Sequence, residues 1–136
     1  MSDLLQDLSE YLIAKNIGTG RGVDIFEDFS PDSPDLVIIV REYAGNPTTT
    51  GVDVLDRSVQ ISVRAPKDNE GLARSRIWEI FNLLDTPEDR VKDFREELVN
   101  DRWMVFYARQ TPFKLAVDEL GRPIFAFNAG VATYRD

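Results

Sequence analysis

Cysteine and histidine are both absent from this sequence of 136 residues. Without thiols there is no disulfide and no thiolate metal site. Without imidazole the commonest general base and the commonest transition-metal ligand are missing. Together these absences exclude Ser-His-Asp and Cys-His nucleophilic sites and the usual zinc centres, unless another chain supplies the histidine. Long apolar runs are lacking as well: no stretch approaches the ~20 residues of a membrane span. The start, "MSDLLQDLSEYLIAKN", is acidic and amphipathic, without the basic opening and apolar run of a signal peptide. The expectation is a soluble chain made inside the cell, with no membrane partner. Positive charge is scarce too, with 16 Lys and Arg against 24 Asp and Glu and a net charge of -8. Such a balance repels nucleic acid at long range and gives no basic footprint, which disfavours a specific nucleic-acid binder. It is compatible with a wall that must not stick to DNA.

What is present is regular. In "RSVQISVRAPKDNEGLARSRIWEIFNLL" (57–84) Val59, Ile61 and Val63 alternate with polar residues, the period of a strand with one buried face. After Pro66, Asp68 and Asn69 the period lengthens, and Ala73, Ile77, Ile80 and Leu84, with Phe81 beside them, form a helical stripe. An earlier helix is marked by Leu5, Leu8 and Leu12, widened by Leu4 and Tyr11, with Ser2 or Asp3 as cap and Gly18 as stop. Strands are expected at 23–29, 36–43 and 54–65, the middle one apolar enough from Leu36 to Val40 to be covered on both faces. "SPDSPD" (30–35) and "AGNPTTTGVD" (44–53) connect them. The charged segment 85–101 reads as a helix-like turn or covering loop. A strand follows at 102–110, then a hairpin over 111–135 that turns at Glu119 to Arg122 around Gly121. The length suits one domain. The fold class predicted for 1–136 is a single α+β domain: a mostly antiparallel sheet with two main helices packed on one face.

Chemistry is harder to find. "GTGRG" (18–22) has the glycines of a phosphate cradle, but a helix precedes it, a strand follows and the lysine is missing, so it reads as a turn. Asp35 and Glu42 in "PDLVIIVREYA" sit where a metal-dependent nuclease places carboxylates, but Ala44 occupies the lysine position. The segment 24–35 holds five acids and no base to grip a phosphodiester. Glu96 with Glu97 and Asp118 with Glu119 are adjacent pairs that do not converge on one atom. Trp103, Phe106, Tyr107, Phe125 and Phe127 have no interleaved basic residues, which favours core or subunit contact over base stacking. No catalytic residue, metal ligand or cofactor is assigned. The softer region 44–57 is longer than a tight hairpin needs, and extra loop length of this kind is often functional. Asn46, Pro47, Thr48, Thr49, Thr50, Gly51, Asp53 and Arg57 are its candidate subunit or partner contacts.

Three blocks carry a resemblance: "PDSPDLVIIVREYAGNP", "VQISVRAPKDNEGLARSRIWEIFNLL" and "ARQTPFKLAVDELGRPIFAFNAGV". The markers are Pro-Asp-x-Pro-Asp before a strand, Val-Gln-Ile-x-Val-Arg before a helix, and Gln-x-Pro-Phe leading to Asp-x-x-Gly-Arg. In this order the sequence resembles the minor capsid proteins of tailed bacteriophages, the tail-terminator or head-to-tail joining group. The resemblance implies a non-enzymatic virion protein of the tail or neck, made in the bacterial host cytoplasm. Its partners would be copies of itself in a homo-oligomeric, hexameric ring, the tail-tube protein, and the head connector or completion protein, with DNA passing through the lumen without specific binding. A small metal-dependent phosphoesterase or nuclease and an acidic adaptor are the rival readings.

Overall fold

The computed structural model describes residues 3–46, 54–84, 95–100 and 102–134, and within them the two rhythms become two helices and seven strands. The first helix, α1 (Leu4–Ala14), starts where expected: the Asp3 carboxylate accepts a hydrogen bond from the Gln6 N–H at 2.7 Å. It does not run to Gly18. Asn16 takes a left-handed φ of 64°, and the Ile17 N–H donates back to the Leu12 carbonyl at 2.8 Å. An asparagine tolerates this conformation and closes the helix before the glycine is reached. Leu4, Leu8 and Leu12 are fully buried.

The strands are β1 (Ile25–Glu27), β2 (Val37–Asn46), β3 (Val54–Arg64), β4 (Arg95–Val99), β5 (Arg102–Ala108), β6 (Phe113–Val117) and β7 (Pro123–Tyr134), and α2 (Glu70–Leu84) lies between β3 and β4. Their order is β1-β2-β3-β7-β5-β4, with β6 also on β7. β7 pairs with β6 through 123–126 and with β5 through 129–133, so β6 and β5 follow one another along a single edge of it. Among the described strands β1 pairs with β2 in parallel and the other pairs are antiparallel. The fold is α+β, as the pattern predicts. β1 is shorter than expected because Asp28, at φ 56°, turns the chain away from the sheet.

Alternation decides the two faces. Ile38, Val40, Val59, Ile61, Val63, Phe125, Phe127 and Val131 join both helices in one core. α2 starts after Asp68 (φ 63°), with the Asn69 side chain accepting from the Leu72 N–H, and buries Ala73, Ile77, Ile80, Phe81 and Leu84. It packs on β3, β7 and β5, while α1 lies across β1, β2 and β4. The Phe81 ring meets Phe127 edge-on at 5.4 Å. At the far end α1 is tied down by Asp7, fully buried, which accepts from Arg102 Nε at 2.6 Å and Asn100 Nδ2 at 3.0 Å.

The segment 85–101 departs from its reading. Residues 85–94 and 101 lie outside the described residues, but 95–99 form a strand, with Arg95 opposite Phe106 and Val99 opposite Arg102. The charged sequence "REELV" hid a strand at the sheet margin, where charge discourages unwanted pairing. Asn100, at φ 49°, turns it back into β5.

Candidate assembly interface

The three sequence blocks meet in space. By register Arg64 points to the helix-free face, yet only 2% of it is exposed, because the 30–35 segment folds over it. Its guanidinium donates to the Pro31 carbonyl at 2.6 Å, the Pro34 carbonyl at 2.7 Å and the Asp35 carbonyl at 3.1 Å. A second buried arginine stands beside it. Arg122 donates to the Asp32 carbonyl at 2.5 Å, the Asp35 carboxylate at 3.1 Å and the Asp118 carboxylate at 2.8 Å. So Pro-Asp-x-Pro-Asp, the Val-Arg end of β3 and the Asp-x-x-Gly-Arg turn form one arginine-clamped corner.

Charge in this corner is tightly matched. Desolvation and the neighbouring Arg122 charge pull the Arg64 guanidinium below its ordinary range. Burial pushes the Asp118 carboxyl up, but hydrogen bonds from Arg122 and Leu120 outweigh it and leave the group below the usual carboxylate range. Gly121 adopts φ 77° within this turn, a conformation suited to glycine. Sequence reading singled out the motifs but not the two arginines. The only available signal was an arginine ending each of two marker blocks.

Further along the same face the Tyr107 ring lies against Gly130, where a Cβ would fall 2.0 Å from the ring. The Tyr107 hydroxyl donates to Asp56, and Arg109 stacks on the ring with 5.4 Å to the centroid while reaching Ser58 Oγ at 3.2 Å. Burial, then the Asp56 hydrogen bond, push the Tyr107 phenol up to about 12. Trp103 and the exposed Tyr134 stand together at 5.4 Å. Phe106, Phe125 and Phe127 belong to the core.

The candidate contact residues divide. Asn46 pairs in register with Asp56, where the β2–β3 ladder shifts. Arg57 is held within the chain, donating to both Glu42 oxygens at 2.5 and 2.7 Å. Pro47, Thr48, Thr49, Thr50, Gly51 and Asp53 lie outside the described residues. Asp35 and Glu42 are not brought together as a carboxylate pair, since Arg122 holds one and Arg57 the other. Among the described residues no group of three or more acids is placed to hold a metal ion. The "GTGRG" turn presents its N–H groups to an internal anion instead of a phosphate: the Asp24 carboxylate accepts from Thr19 at 2.9 and 3.0 Å and from Gly20 at 3.1 Å.

The profile of the bacteriophage tail terminator protein family matches residues 11–135. The chain belongs to that family, and is a structural component of a phage tail. No curated protein sequence matches it. Among the described residues no helix is long and apolar enough to cross a membrane.

Proposed function

We propose that this tail terminator acts as one α+β unit repeated in a closed, hexameric ring at the head-proximal end of the tail. The ring would cap the tube, dock it to the head connector or completion protein, and perform no catalysis. The observation that carries this reading is the sheet's unlike margins, β1 on one side and β4 with β6 on the other. A head-to-tail ring needs two different surfaces per subunit, whereas a two-fold dimer needs one that complements itself. The net charge of -8 supports a lumen through which DNA slides without adhering.

Particle imaging of the virion tests this directly. A ring of this chain between tail tube and connector is the expected result, and gene deletion should leave full heads and unjoined tails. Density for the chain elsewhere in the particle, or joined virions without it, would overturn the assignment.

A further inference from the structure

We propose which surfaces make the subunit contact: the β6 edge and its turn on one copy seat in a cleft beside β1 on the next. The inference rests on the ring reading above and names the contact within it. Its geometric basis is the register. Phe26 pairs with Ile39, Ile39 with Ser62, Ser62 with Ala126 and Ala126 with Phe113, so β1 and β6 are the two ends of one transverse row. At ~4.8 Å per strand the row spans roughly 19 Å. A neighbour placed against either end therefore meets the other end at the same height.

Each end is unfinished in a different way. On the β6 side Leu115, Val117 and Leu120 are 42%, 53% and 60% exposed, three apolar side chains within six residues. Among the described residues no strand pairs with the outer edge of β6. Exposed apolar edges of this kind attract other chains unless something covers them. On the β1 side Arg21, Gly22, Ile25, Phe26, Glu27 and Phe29 line an open cleft of about 380 Å³. Phe29 is 59% exposed, edge-on to Phe26 at 6.0 Å, and the Arg21–Glu27 ion pair at 2.6 Å also lines the cleft. At Ile25 the outer backbone is already occupied, its carbonyl accepting from the Gly22 N–H at 2.8 Å and its N–H donating to the Gly20 carbonyl at 3.3 Å. The contact is proposed as a seating of side chains in the cleft.

Charge selects the occupant. Of the acids in 21–35, Asp35 is held by Arg122 and Glu27 by Arg21 within the chain, while Asp28 and Asp32 are exposed. On the β6 side Arg122 is buried and Lys114 pairs with Glu70, and Lys67 is the exposed base beside the turn, its stem 3.2 Å from where a Gly121 Cβ would lie. Unlike ends attract and like ends repel, which favours a second copy in head-to-tail order over either symmetric pairing.

Sedimentation of Phe29→Glu, Leu120→Glu and their equimolar mixture tests the contact. Each variant should melt within a few degrees of the wild type, because both side chains are exposed. Each should remain monomeric where the wild type assembles, and the mixture should stop at a one-to-one dimer, joined by the single intact pair of surfaces. Because the chain has no cysteine, Phe29→Cys with Leu120→Cys gives a second reading: oxidation should yield a ladder of crosslinked oligomers. Wild-type assembly that persists in Phe29→Glu, or crosslinked dimers from Phe29→Cys alone, overturns this contact while leaving the ring intact. A wild-type chain that never assembles overturns both.

Discussion

Arg64 shows why single residues escape pattern reading. Its place in an alternating strand marks it as solvent-facing, and only the folding of 30–35 over it makes it a buried clamp. Replacing it removes the donor to three carbonyls, and buried acceptors left without partners cost ~1-3 kcal/mol each in the worst case. We expect Arg64→Met to lose about 2–4 kcal/mol in urea unfolding. Arg64→Lys should recover only part of this, because an ammonium lacks the planar fork that reaches all three. A loss under 1 kcal/mol for Arg64→Met would mean that the corner is not held by this side chain.

Tyr107 supplies a pH signature at the same scale. Its phenol is raised to about 12 in the folded protein, against an ordinary value near 10. A raised value means the contribution to stability is fully present below about pH 10 and is lost as the pH climbs towards 12. Of the four tyrosines, Tyr107 should ionise late in an ultraviolet titration. Gly130→Ala places a methyl group where the ring lies, so it should displace the ring and return the phenol towards 10. An unchanged titration in that variant would show that the ring does not depend on the glycine.

Elements were more legible than residues, and for a physical reason: a stripe or an alternation integrates over many side chains. The α2 stripe was readable because Ile77 and Ile80 are both fully buried on the sheet. Ile77→Ala and Ile80→Ala should each cost ~2-5 kcal/mol, measured by chemical denaturation. Near-neutral values for both would place the stripe on the wrong side. β4 was missed because "REELV" is three charged residues followed by two apolar ones, with no two-residue alternation to read. The end of α1 was misplaced because glycine is the commoner stop and an asparagine served instead. The parallel pairing of β1 left no mark in sequence, since three residues are too few to show a period.

At the scale of the molecule, sequence patterns gave the sheet and the family but not the surfaces that face a neighbour. Loop composition drew attention to 46–57, of which Arg57 is an internal clamp on Glu42. The exposed apolar residues of β6 read in sequence as one arm of a hairpin. Deleting Pro47 to Gly51 should leave the melting temperature within a few degrees, because a loop tip adds little to a core. Tails carrying the deletion should fail to join heads in an in vitro assembly assay. An unfolded subunit would make the loop part of the fold, and normal joining would remove it from the interface.

The central place of β7 has a consequence for timing. Its partner across the middle of the sheet is β3, with Val54 opposite Tyr134 and Arg64 opposite Ile124. Until β7 has left the ribosome, β3 keeps a bare edge and β6 has nothing to pair with. α1, made first, must also wait for Asn100 and Arg102 before Asp7 is neutralised. Contacts this distant in sequence fold slowly, on the order of milliseconds to seconds. The two ends of the Phe26–Phe113 row therefore come into line only once synthesis has passed β7, so a half-made subunit lacks the aligned ends that the proposed contact needs.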